Sequence, residues 1–376
     1  MNFAKVDAFV AGQEKRGFPS SDLTIVKDGE VVFHKRYGYA NEEKTRETSD
    51  RDMYYLYSLS KVSTCVGALR AIERGLISLD DPVAKYIPAF ADVKVRRQGG
   101  EPTPAETVMT VRHLFTMTGG LNYNLFSPSI RAARDAGITD TLSIASRIAE
   151  APLDFEPGSS YQYSLCHDVL AAVVEVASGM RFADYQQKEI FDPLGMTDTT
   201  YHMNEEQKSR LVDLYRYNGA TYTAEKWVGS NGYILGPDYD SGGAGLSSTG
   251  LSYARLAAAL SNGGVSTDGY VLLKPETVEL MQKNQLGDHA LKVFGDGRFG
   301  GYGWGLCCRT HIRPDISLSP SSPGECGWDS AANAYFLADP RRKVGIVYLT
   351  HVLGCNMGYD RYHPVIRDLV YEGLEE

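Results

Sequence analysis

The sequence is short of the features that define several large functional classes. Its six cysteines (Cys65, Cys166, Cys307, Cys308, Cys326 and Cys355) and eight histidines contain no C-x-x-C pair, no H-E-x-x-H and no other metal-ligand spacing, so no metal site is expected. Scattered cysteines without a disulfide-like framework fit free buried thiols in a reducing compartment. Basic residues are outnumbered, 38 Lys and Arg against 47 Asp and Glu for a net charge of -9, which argues against nucleic acid and anionic membrane surfaces as partners. No apolar run is long enough to span a bilayer. The N-terminal stretch MNFAKVDAFVAGQEKRG lacks the basic start, apolar stretch and small-residue cleavage site of a signal peptide, and the expectation is a cytoplasmic chain. G-x-S-x-G, the strand-to-helix elbow that an α/β-hydrolase requires, is missing as well. No internal repeat or low-complexity segment occurs.

What is present is one S-x-x-K. Ser58 and Lys61 lie in YYLYSLSKVSTCVGALRAIER (54–74), and no other lysine has a serine three positions before it. In a helix, residues three apart share a face, which sets the lysine amine beside the serine hydroxyl. A serine is a weak nucleophile until a base takes its proton, and a lysine does so only when burial or nearby positive charge lowers its pKa. Unpaired N–H groups at a helix start favour negative charge developing there. Taken alone, the tetrapeptide is also what a helix cap followed by a solvated lysine looks like.

In chain order, Phe3, Val6, Phe9 and Val10 recur at helical spacing. LTIVKDGEVVFHKRYGYA reads as a hairpin with Asp28-Gly29 at its turn. Gly75 reads as the C-cap of the Ser58 helix. The stretch 93–107 reads as a surface loop. TVRHLFTMTGGL reads as a short helix opened by Thr110 and closed by Gly119-Gly120, and 128–150, 165–179 and 181–191 read as long helices. From Ser241 a glycine-rich turn leads into a capped helix, and strands in YGWGLCCRT, AANAYFLADP and KVGIVYLTHV precede a closing helix. Helix and strands at both ends with helices between them suggest an α/β lobe formed by 1–75 and 241–376, a mostly helical lobe over 76–240, and an active site in the cleft between them.

YSLSK, GLISLDDPVAKYIPAF, TVRHLFTMTGGL, FEPGSSYQYSLCHDVLAAVVEVASG, IFDPLGMTDT, GGAGLSSTGLSYARLAAALSNGG and GWDSAANAYFLADP follow one another in this order. With them the chain resembles the serine β-lactamase and penicillin-binding-protein superfamily, its class C-like branch, and most nearly the family VIII carboxylesterases. The resemblance implies a β-lactamase/transpeptidase-like α/β fold: an antiparallel sheet flanked by terminal helices, with a helical inserted lobe. It makes Ser58 the nucleophile, Lys61 its base partner and Tyr163 a sharer in proton transfer. It pairs the Ser58 and Ala331 N–H groups as an oxyanion hole, and it sets Trp328-Asp329-Ser330 on the strand that lines the substrate. Independently of the resemblance, a phenol beside a lysine ammonium has its pKa lowered and can relay a proton.

Departures from the family pattern narrow the reading. Trp328 stands where β-lactamases carry a lysine or histidine that meets a carboxylate, and Leu165 replaces an asparagine that meets a substrate amide. An apolar wall suits an uncharged ester or acyl chain. Ser330 and Asn333 replace glycines and put the geometry of the oxyanion strand in question. His113 and His167 read as structural. The expectation is a cofactor-free serine hydrolase that cleaves small-molecule carboxylic esters through an acyl-enzyme. An acyltransferase on the same machinery, a β-lactamase or D-peptidase, and a silent binding protein that keeps the fold are the rivals.

Overall fold

The Asp28-Gly29 signal produces the hairpin it predicts. In the computed structural model, which describes residues 1–376, β1 (Ser20–Lys27) pairs antiparallel with β2 (Glu30–Gly38) across a turn with Asp28 at φ 52° and Gly29 at φ 84°. Two consecutive positive φ values are what a tight hairpin turn demands, and this dipeptide meets the demand at low cost. Five strands from the other end of the chain complete the sheet: β3 (Tyr302–Trp304), β4 (Arg309–His311), β5 (Cys326–Asp329), β6 (Tyr335–Asp339) and β7 (Val344–Thr350). The order is β2-β1-β7-β6-β5-β4-β3, antiparallel throughout, with Leu23 opposite Tyr348 and Ile25 opposite Ile346.

Six helices are needed to describe the site: α1 (Ala4–Ala11), α2 (Ser60–Glu73), α3 (Val111–Phe115), α4 (Cys166–Ser178), α5 (Gly250–Ser261) and α6 (His363–Glu375). Alternation along β7 assigns the two faces of the sheet. Val344, Ile346 and Tyr348 join Val6 and Val10 of α1 and Ile366 and Val370 of α6 in one apolar cluster. Val347 and Leu349 point to the opposite face and join Ala254 and Ala257 of α5 in the main core. That core runs without a break from the sheet through α2 to α3 and α4.

Helix α2 is the axis of the molecule. Every residue from Ser60 to Leu69 is buried, which fits a stretch with no charge between Lys61 and Arg70. Gly67 permits the closest approach: a Cβ there would collide with the Gln186 side chain, which accepts a 2.7 Å hydrogen bond from Ser63 Oγ.

Four segments differ from their sequence reading, the first being YGWGLCCRT, which forms the two paired strands β3 and β4 rather than one. Residues 93–107 are not an open loop: Lys94–Arg97 and Gly100–Pro104 form a hairpin turned at Gly99 (φ 70°), anchored by buried Val95 bridging to Leu153. The 128–150 helix is two helices, Pro128–Asp135 and Thr141–Ile148, separated at Gly137 (φ 73°), with Asp140 capping the second through a 2.9 Å bond from Ser143 N. Helix α3 ends at Thr116, ahead of the glycine pair, because Met117 already turns left-handed at φ 57°. No helix is long and apolar enough to cross a membrane.

Candidate active site

Ser58 does not sit inside α2. It lies in a tight 3-10 turn, Tyr57–Leu59, that feeds the helix starting at Ser60. Tyr57 has φ 46°, a left-handed conformation that costs a non-glycine residue about 1–3 kcal/mol. The surroundings hold it there. Tyr57 is buried among the rings of Tyr55, Tyr233 and His351. The strip 246–248 grips the turn: Leu56 N donates to Leu246 O (2.8 Å), Leu246 N donates to Ser60 Oγ (2.9 Å), and Tyr253 Oη donates to Leu59 O (2.6 Å). This grip leaves Ser58 half-exposed at the head of a buried helix.

Lys61 Nζ is fully buried and lies 3.5 Å from Ser58 Oγ, 3.2 Å from Tyr123 Oη and 2.6 Å from the Gly243 carbonyl. Burial lowers its pKa to about 8, against an opposing pull from the carboxylate of Asp168. A substantial share of the amine is therefore unprotonated in mildly alkaline solution, as a base requires. Gly243 is glycine for space, since a Cβ there would strike Asp168 Oδ2 and press on Lys61 Nζ.

Tyr163 follows the Pro157-Gly158 turn and is held alongside 117–122 by Gln162 N to Met117 O (3.0 Å) and Leu165 N to Asn122 O (3.2 Å). Its hydroxyl donates to Ser58 Oγ at 2.7 Å and accepts from Trp328 Nε1 at 3.1 Å. The expected lowering of its pKa is corrected. Burial raises the phenol pKa well above its ordinary value, more than its bonds to Ser58 and Trp328 lower it. The Lys61 ammonium lies over the Tyr163 ring face, 4.6 Å from the centroid. Tyr163 is thus held as a neutral phenol, while burial makes the Lys61 amine easier to deprotonate.

Trp328 and Asp329 end β5, and the turn that follows carries Ser330 and Ala331. All four line a cavity of about 810 Å³ shared with Ser58 and Tyr163. Neither Ser58 N–H nor Ala331 N–H is engaged in the backbone hydrogen-bond network, as two oxyanion donors require. The side chains that replace glycine do not obstruct the turn. Ser330 Oγ accepts from Ala332 N (3.2 Å), while Asn333 takes the left-handed φ of 64° that asparagine tolerates and donates through Nδ2 to Val352 O (2.6 Å).

Two residues expected at the substrate have other surroundings. Leu165 is buried in the main core and does not line the Ser58 cavity, because its side chain follows α4 inward. Asp329 does line it, but its Oδ1 is engaged by His363 Nδ1 (2.9 Å). Burial would raise the Asp329 pKa; the His363 bond and the neighbouring Arg309 and Arg298 charges overcome it and hold the pKa at about 2. His167 is fully buried, its Nε2 3.1 Å from Phe115 O, and burial drops its pKa to about 3. His113 closes a capping box with Thr110.

Sequence reasoning missed Asp168 and Gly243, and it pointed to the stretches 121–135 and 215–240 as pocket-shaping without singling out Tyr123 or Tyr233. Asp168 had a signal, being an acid in the first turn of α4, directly ahead of the apolar run VLAAVV. It is buried, accepting from Tyr239 Oη (2.9 Å) and Ser241 Oγ (2.6 Å), with Oδ2 unpartnered. The tyrosines reach the site from loops, whose placement depends on tertiary contacts.

A serine with a buried low-pKa lysine and a tyrosine hydroxyl at its Oγ, and two unengaged amides on the walls of the same cavity, is the equipment of a serine hydrolase that works through an acyl-enzyme. The chain belongs to the Beta-lactamase family, whose model matches residues 6–370. Esterase EstB of Burkholderia gladioli is 28% identical over 375 residues, covering 93% of this chain and 90% of its own length. Lovastatin esterase of Penicillium rubens is 31% identical over 276 residues, covering 70% of this chain and 67% of its own. The solved structure of EstCE1, a hydrolase with promiscuous acyltransferase activity, superposes with a TM-score of 0.80 at 26% identity over 98% of both chains.

The state of Lys61 sets a pH profile. kcat/KM for a neutral ester should rise with pH as Lys61 deprotonates, with a midpoint near the value of about 8. Asp168→Asn removes the charge that raises the Lys61 pKa and keeps an oxygen for Tyr239 and Ser241, so the rising limb should move to lower pH. A limb that stays put, or moves up, contradicts this account of Lys61.

Proposed function

We propose that the protein is a carboxylesterase. Ser58 attacks an uncharged ester carbonyl while its proton passes to Lys61. The Ser58 and Ala331 amides hold the oxyanion, and Tyr163 protonates the departing alkoxide. In the second half water attacks the acyl-Ser58 carbonyl, gives a proton to the Tyr163 phenolate, and Lys61 returns the proton of Ser58. The observation that carries the reading is Trp328, whose indole occupies the strand position beside Tyr163 and supplies no charge for a carboxylate next to the cleaved bond. The names of EstB and lovastatin esterase support ester cleavage. Six free, buried thiols support a cytoplasmic setting. The two-lobe division at residues 75 and 241 is part of the same proposal, as is a small-molecule partner.

Acyl transfer is the second reading, favoured by a large aromatic cavity that can seat an alcohol beside the acyl chain and by the activity in the name of EstCE1. One experiment separates these readings from the lactam one: p-nitrophenyl butyrate with and without an added alcohol, alongside nitrocefin. Ester turnover is expected, with nitrocefin kcat/KM at least about a hundredfold lower for want of a charged anchor beside the cleaved bond. Comparable nitrocefin turnover would overturn the argument from Trp328, and a new ester formed at the expense of free acid would establish transfer.

A further inference from the structure

Arg298 is the one cation that lines the Ser58 cavity, and from its setting we propose that the substrate ester bears a carboxylate at its far end, remote from the bond that is cleaved. This rests on the esterase reading and adds the class of ester.

The argument is a charge balance. Among the cavity-lining residues only Arg298 and Asp329 are ionised. Asp329 is already compensated. His363 places Nδ1 2.9 Å from Asp329 Oδ1 and Nε2 2.9 Å from the Asn333 carbonyl. Both partners are acceptors, and the ring is fixed between them. Arg309 lies 4.0 Å from the same carboxylate and is itself matched by Glu325 at 2.8 Å. Asp329 and Glu325 thus each have a close partner other than Arg298.

What remains to Arg298 is a 3.4 Å approach of Nη2 to Asp329 Oδ2 and the faces of Phe299 and Tyr359, 4.6 and 4.7 Å from its guanidinium carbon. The distance to Asp329 is longer than a charge-assisted hydrogen bond, and the side chain is 32% exposed. A guanidinium carries five donors in a planar fork that matches a carboxylate, and half-buried against aromatic rings it gains from an anion that uses them. The ring stack sets the reach. Arg298 sits on Phe299, Phe299 stacks on Trp328 at 5.5 Å, and Trp328 stacks on Tyr163 at 5.5 Å, beside Ser58. A carboxylate attached directly beside the cleaved bond stays at the Trp328 end. One carried on an apolar or aromatic spacer along these rings meets Arg298.

The test uses matched p-nitrophenyl esters of methyl-terminated and ω-carboxy acyl chains of increasing length, together with phenyl and 4-carboxyphenyl acetate for the alcohol side. In the native enzyme, kcat/KM should favour the carboxylate member of one series by about tenfold to a hundredfold once the spacer is long enough, and added salt should shrink the preference. In Arg298→Gln the preference should vanish while neutral-ester turnover stays within about twofold, and Arg298→Lys should recover part of it. No preference in either series overturns the carboxylate subsite, as does equal loss on charged and neutral esters, which would make Arg298 a support for Asp329. Calorimetric binding of the same pairs to Ser58→Ala keeps the two readings apart: a preference in binding without turnover in the native enzyme would sink the esterase reading and leave the subsite standing.

Discussion

Ser58→Ala should abolish labelling by a fluorophosphonate and lower ester kcat by about 10⁴-fold or more, the scale on which acyl-enzyme hydrolases depend on their nucleophile. Stability should hardly change. Ser58 is half-exposed, and the strained turn that presents it is held by Leu246, Tyr253 and the Tyr57 ring contacts, none of which involve the hydroxyl. Thermal denaturation should place the variant within about 0.5 kcal/mol of the native chain. Lys61→Met should cost nearly as much activity, and combining the two should cost little more, because groups that act as a unit lose their effect together. It should also leave the fold no less stable, since the native state buries an amine whose charged form is disfavoured there. Residual turnover above about one per cent in Ser58→Ala, with labelling at another residue, would move the nucleophile elsewhere.

Local sequence signals proved strongest where the chemistry is local. Asp28-Gly29 foretold its turn, Thr110 its capping box and Gly75 (φ 70°) its helix end, because each depends on a few neighbouring backbone angles. That Ser58 and Lys61 lie side by side was legible for the same reason, although the serine sits two residues ahead of the helix proper. What a single chain could not reveal is set across long separations. Lys61 meets Gly243 and Tyr123, and Asp329 meets His363 from the last helix, so no spacing rule finds them. Leu165 shows the converse. It follows Tyr163 by two residues, yet as the residue that caps the start of α4 it turns into the core while Tyr163 faces Ser58. The hairpin at 94–104 was missed because its polar composition reads as loop, and its one buried contact, Val95 with Leu153, is long-range.

Tyr163→Phe discriminates between ways of moving the proton. The phenol donates to Ser58 Oγ and its pKa is raised, so it is protonated at the start, and the proposed mechanism gives its proton to the leaving alkoxide. An ethyl or benzyl ester expels a strongly basic alkoxide that needs this proton as the bond breaks. A p-nitrophenyl ester expels a weakly basic phenolate that does not. kcat/KM, which reports acylation, should therefore fall by about 10²–10⁴-fold for the alkyl ester and much less for the p-nitrophenyl ester of the same acid. Equal losses would mean that the hydroxyl acts before the leaving group departs, by orienting Ser58 or by serving as its base. The substitution also strips Trp328 Nε1 of its acceptor in a buried ring stack, which should cost about 1–3 kcal/mol of stability, read as a lower urea midpoint. That cost falls on both esters alike. The ratio of the two losses cancels it and isolates proton donation by Tyr163 from the packing of the wall it belongs to.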